Sequence, residues 1–131
     1  MSSVKEFKIA IESISQFNKP YLIGAHISEG KNLPSGEKIS EIISNIHHEK
    51  LLGIILSCIS PENYDLNLEE IKSLKVPFGF KLNAFIKTNP KPNYTGAYKK
   101  SKTGNPNEFL GQRKDLTPDK MAEFAKKFKN A

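Results

Sequence analysis

The spacing of its apolar runs constrains this chain more than any other feature. Three short runs, YLIGAHI at 21–27, LLGIIL at 51–56 and a third over 76–85, lie about 25–30 residues apart. Runs of this length with little alternation are the mark of strands buried on both faces. The stretches between them have room for the crossover helix that parallel strands need. The spacing therefore predicts βαβ units, an α/β fold with a parallel sheet and right-handed crossovers.

The intervening segments carry helical signals. Val4, Phe7, Ile11, Ile14 and Phe17 recur at helical spacing, which predicts a helix over 3–17 that stops at Asn18-Lys19-Pro20. Ile39, Ile42, Ile43 and Ile46 predict a second helix over about 36–46. Ser60-Pro61 and Thr117-Pro118 each place a capping hydroxyl before a proline at the first helical position. The helix after Ser60 turns Leu66, Leu68, Ile71 and Leu74 inward, and the one after Thr117 carries a stripe of Met121, Phe124, Ala125 and Phe128. Between the third strand and the last helix, residues 86–116 form a long basic loop, a length typical of a lid or of disorder.

A chain of 131 residues is long enough for one domain with its own core. Its hydrophobic content of 37% is low for a compact α/β protein. Three strands leave two open sheet edges, which invite pairing with another chain. The order thus fits a minimal three-layer domain or a part of a larger sheet. No apolar run approaches the ~18 residues of a membrane span, and MSSVKEFK has no apolar signal region. A lone cysteine makes no internal disulfide, so a reducing, cytoplasmic setting is expected.

The net charge of +6 is uneven: residues 1–85 carry 9 Lys against 10 Asp and Glu, and residues 86–131 carry 11 Lys and Arg against 4. Such a tail suits a polyanion such as RNA, although it lacks a repeated Arg and aromatic pattern that would grip bases. Nucleic-acid binding by a small stand-alone α/β module is therefore the alternative reading, and a solvated lysine-rich surface is the plain one.

Cys58 is the first candidate for chemistry. It follows an apolar strand and precedes a capped helix, and the carboxyl end of a parallel strand is where β/α enzymes place metal ligands and nucleophiles. The plain alternative is a small buried hydrophobe. His26 lies near the end of the preceding strand, where it could share a face with Cys58, whereas His47 and His48 fall at the opposite side of the sheet. Asn83, near the end of the third strand, could hydrogen-bond a substrate or simply shape a turn. Glu29 and Glu37 flank the first loop and could meet an ammonium group. Tyr94, Tyr98 and Phe109 interleave with lysines in the long loop and could cage a methylated cation or contact nucleic acid, the plain reading being a mobile loop.

Three stretches together resemble the homocysteine S-methyltransferase family, including its betaine-dependent branch: Lys19-Pro20 into YLIGAHI and the loop to Leu33-Pro34-Ser35-Gly36-Glu37; LLGIILSCISPE; and PFGFKLNAF with FLGQRKDLTPDKMAEFAKKF. The resemblance implies a partial (β/α)8 TIM barrel, units five to seven of eight, making residues 1–131 a partial homocysteine-binding domain. It implies zinc held by three cysteines, of which Cys58 matches the first, with Ser57 where the family usually has Asn. Methyl transfer from a betaine- or S-methylmethionine-like donor to L-homocysteine, giving methionine, is the implied activity. The family uses no histidine at the position of His26. The resemblance further implies that the chain stops short of the eighth strand and its cysteine pair, so that alone it is an inactive fragment. It would then self-associate or be completed by the missing barrel portion.

Overall fold

The computed structural model describes residues 1–27, 29–44, 49–86 and 111–131. Its elements follow the expected alternation: α1 (Val4–Ser15), β1 (Tyr21–His26), α2 (Ile39–Ser44), β2 (Leu51–Ile59), α3 (Pro61–Ser73), β3 (Phe78–Leu82) and α4 (Pro118–Lys129). The strands form one sheet in the order β1-β2-β3, both pairings parallel, so each strand lies beside its neighbour in sequence.

The helix starts follow from their capping hydroxyls. Ser3 Oγ accepts the Glu6 amide at 3.2 Å, Ser60 Oγ that of Asn63 at 3.2 Å, and Thr117 Oγ1 that of Lys120 at 3.3 Å. Each satisfies one of the amides that a helix start leaves without an intrahelical partner. Two expected core residues are corrected. Phe17 is 69% exposed, because α1 ends at Ser15 and the chain turns through Asn18 at a φ of 48°. Leu66 is 52% exposed, because the inner face of α3 is set by Tyr64, Asn67, Leu68 and Ile71. The third strand is shorter than 76–85: Pro77 has no amide to give, and the named strand starts at Phe78.

Register aligns the strands in rows. Ile23, Ile54 and Phe78 share one row, and Ala25, Leu56 and Phe80 share the next on the same face. These residues join Phe7, Ile39, Ile42, Tyr64, Leu68, Ile71 and Phe128 in one core, so the helices cover a single face of the sheet. Tyr64, Phe80 and Phe128 meet at ring-centroid distances of 4.5–5.6 Å and tie α3, β3 and α4 together. The opposite face carries Leu22 beside Gly53, then Gly24, Ile55 and Gly79, then His26, Ser57 and Lys81. Among the described residues no helix lies over this second face, and Leu22 on it is 56% exposed.

Both sheet edges have a distinct character. Met1 lies along the outer edge of β1: its amino group donates to the Gly24 carbonyl at 3.0 Å, and its own carbonyl accepts the His26 amide at 3.0 Å. That exchange is the pattern of one parallel-sheet bridge. At the outer side of β3, an apolar groove of about 700 Å³ runs between the strand and α4, floored by Phe78, Phe80 and Phe128.

Gly53 marks the closest backbone approach. The Ile54 amide donates to the Pro77 carbonyl at 2.9 Å, and a Cβ on Gly53 would lie 2.4 Å from that same oxygen. Gly53→Ala should therefore lower stability by about 1–3 kcal/mol, the usual cost of overpacking. Gly24→Ala, whose nearest obstacle is Ser57 Oγ at 3.9 Å, should leave the urea midpoint almost unchanged.

Candidate functional site

The site is built where β2 leaves the sheet. Ile54 and Leu56 point into the core, so strict alternation would send residue 58 inward and residue 59 outward. The chain does the reverse: Ile59 is 0% exposed and Cys58 is exposed. Pairing with β3 jumps from Ser57↔Lys81 to Ile59↔Leu82, which leaves Cys58 as the extra residue of a bulge. Its φ of 60° lies in the left-handed region. For a residue with a Cβ that conformation costs on the order of 1–3 kcal/mol, and such positions concentrate at functional sites. A glycine would relieve the cost and remove the thiol. The plain reading of Cys58 as a buried hydrophobe is thereby corrected: the bulge keeps the thiol out of the core.

The carbonyls of the two residues on either side of Cys58 are both held. Downstream, the Ile59 carbonyl accepts the Asn83 amide at 2.9 Å. Upstream, His26 Nδ1 lies 3.1 Å from the Ser57 carbonyl oxygen. A carbonyl only accepts, so Nδ1 carries a proton, and in the neutral ring Nε2 is then the bare nitrogen. His26 Nε2 is buried with no hydrogen-bond partner among the described residues, an arrangement that costs roughly 1–3 kcal/mol. His26 is thus held against Ser57, the residue before Cys58, across the strands.

Asn83 sits just past β3, where its Oδ1 accepts the Phe85 amide at 3.2 Å. That is the turn-shaping role, and it leaves the amide nitrogen for other partners. Lys81, which the sequence reading passed over, shares the row of His26 and Ser57 and is exposed on the open face. Alternation together with register was the signal that could have found it. Glu37 accepts a hydrogen bond from Ser35 Oγ, which holds its carboxyl below the usual range. His47, His48, Tyr94, Tyr98 and Phe109 lie outside the described residues, as does most of the 86–116 loop on which the polyanion reading depends.

Two further devices fix the loops at this end of the sheet. Asn67, wholly buried one turn beyond Asn63 on α3, donates from Nδ2 to the Gly30 carbonyl at 2.9 Å and the Asn63 carbonyl at 2.7 Å. Asn63 Nδ2 donates to the Ile27 carbonyl at 3.4 Å. The loop leaving β1 is thus tied to α3 by its backbone. The second device is Arg113, which grips Glu62 through Nη1 and Nη2 at 2.7 and 2.8 Å and also bonds Asp115 at 2.6 Å. The Arg113 amide donates to the Ala84 carbonyl at 2.8 Å, and the Ile86 amide to the Gly111 carbonyl at 3.1 Å. These contacts bring the chain at 111–115 back against the exit of β3. Beneath them lies a cleft of about 430 Å³ lined by Glu29, Ser60, Glu62, Phe85, Ile86 and Arg113.

Among the described residues no three of His, Cys, Asp and Glu stand close enough to hold a metal ion together. The placement of Cys58 suits a single thiolate ligand and supplies no complete site. No helix among the described residues is long and apolar enough to cross a membrane. A family model described as homocysteine S-methyltransferase matches residues 1–131. No curated protein and no solved structure matches the chain.

The Arg113 clamp has a pH signature. The guanidinium hydrogen bonds hold the Glu62 and Asp115 carboxyls below their ordinary values, and the carboxylates in turn raise Arg113. A depressed folded-state value stabilises the fold above the unfolded carboxylate pKa of about 4 and loses that contribution as the pH falls through the folded value. Arg113→Gln should lower the urea midpoint at neutral pH, and the gap from wild type should close as the pH falls below 4. Because both carboxylates are more than half exposed, added salt should narrow the gap at neutral pH.

Proposed function

The chain belongs to the homocysteine S-methyltransferase family, and on that premise we propose that it serves zinc-dependent methyl transfer to L-homocysteine, giving methionine. The observation that carries the reading is the left-handed kink that exposes Cys58 at the carboxyl end of a parallel sheet. A cysteine kept only to fill the core needs no such kink, and strained positions of this kind concentrate at functional sites.

The sheet supports a barrel wall. Three strands lie in sequence order with their helices on one face, as in a (β/α)8 barrel, whereas a doubly wound sheet carries helices on both faces. We read the chain as three consecutive units of such a wall. Its open face, with Gly24, Gly53 and Gly79 in the middle and His26, Ser57 and Lys81 at the carboxyl end, then faces the barrel interior.

In this reading Cys58 supplies one of three zinc-binding sulfurs. The other two come from outside these 131 residues, since the chain has one cysteine. Zinc, when bound, would keep a substrate thiol deprotonated near neutral pH. The chain's own residues contribute position and charge. Lys81 offers a cation to the substrate carboxylate, and Asn83 offers the amide nitrogen left free of its turn. The methyl donor is a betaine- or S-methylmethionine-like cation. The partner is a polypeptide that completes the wall, or a second copy that meets its open edges.

Titration with zinc and L-homocysteine tests the reading. Combined with the polypeptide that completes the wall, wild-type protein should retain zinc through sulfur, seen as a sulfur shell in X-ray absorption, and Cys58→Ser in the same complex should lose affinity by more than about tenfold. Equal zinc affinity and an unchanged sulfur shell in Cys58→Ser would sink it.

A further inference from the structure

We propose that His26 is the positioning residue for Cys58: its Nδ1–H, held on the Ser57 carbonyl, locks the peptide that enters the left-handed kink and so keeps the thiol turned away from the core. The proposal rests on the reading of Cys58 as the functional thiol.

Three observations carry it. The first is chemical. The Ser57 carbonyl belongs to the peptide that ends at the Cys58 nitrogen, and the bond to His26 Nδ1, at 3.1 Å, fixes the plane of that peptide. The φ of Cys58 is the rotation between that plane and its own Cα, so the ring acts directly on the torsion that is strained at 60°.

The second is the orphan nitrogen. His26 Nε2 is buried and bonds nothing among the described residues. An apolar side chain of similar size would fill the place without that penalty. The polar bond that a histidine adds here is the one to Ser57, and that bond serves the bulge.

The third is the division of labour around the kink. Downstream, the Ile59 side chain is anchored in the core and its carbonyl is held by Asn83. These contacts fix where the strand goes after the bulge. The entering peptide lies at the end of the ladder, where Ser57 pairs with His26 and Lys81, and on this peptide the imidazole adds a side-chain bond. Freed of it, residue 58 can return toward extended geometry, which turns the thiol toward the helix layer.

The test is the alkylation rate of Cys58 by iodoacetamide in the 131-residue chain, compared across His26→Phe, His26→Asn and wild type. Asn places an amide nitrogen where the histidine has Nδ1 and can keep the bond. His26→Phe should slow alkylation about tenfold, the scale of a released left-handed strain, and His26→Asn should restore the wild-type rate. A His26→Phe rate at or above that of wild type overturns the proposal, as does an equal loss in His26→Asn. Should His26→Phe fail to fold, nitrogen-15 NMR of the wild-type imidazole decides: an Nδ1–H tautomer supports the proposal and an Nε2–H tautomer overturns it. None of these readouts needs zinc, homocysteine or methyl transfer. A failed zinc titration would therefore count against the family chemistry and leave this result standing.

Discussion

Everything in this fold depends on one face of a three-stranded sheet being buried while the other is not. The rows Ile23/Ile54/Phe78 and Ala25/Leu56/Phe80 set that face, and each helix is placed by the need to cover it. Phe7 from α1, Ile39 and Ile42 from α2, Tyr64 and Ile71 from α3 and Phe128 from α4 all descend onto the same surface. Burial on this scale, roughly 25 cal/mol for each Å² of apolar surface removed from water, outweighs any single polar contact in the chain. The polar devices are therefore adjustments made at the ends of the strands, where burial gives out.

The bulge at Cys58 is the place where that frame and the site meet. The core demands Ile59, and the strand would deliver residue 58 in its place. One extra residue reconciles the two, and the strain of the reconciliation falls on Cys58, whose side chain it leaves exposed. His26 and Asn83 sit on the neighbouring strands at this level and take up the carbonyls on either side. The site is thus a property of three adjacent strand ends, and no one of them makes it alone.

Much of this was legible in the sequence. The strand positions, the parallel order, the hydroxyl-proline caps and the exposure of one strand end to Cys58 follow from spacing and turn chemistry, which are local. What escaped was set by register. Whether Cys58 points in or out turns on a one-residue phase change that no pattern of apolar residues displays. Lys81 reads as an ordinary surface lysine until its row-mates across the sheet are known. Asn63 and Asn67 were hidden for another reason: an amide on the inner face of a helix looks like a defect until the loop carbonyls at Ile27 and Gly30 appear opposite it. Leu66 and Phe17 fooled the helical period because each lies just off the true stripe, by one position on α3 and beyond the last turn of α1.

The neck at Ile86 and Gly111 has an evolutionary side. Two backbone hydrogen bonds and the grip of Arg113 on Glu62 hold the chain ends of the intervening segment at a fixed separation, whatever runs between them. Closing a longer loop across such a gap costs only about 0.6 kcal/mol for each doubling of its length. Insertions and deletions between these two residues are therefore nearly neutral for the fold, and the register that presents Cys58 does not feel them. A lineage could vary the sequence between these two residues while leaving the three-stranded sheet untouched.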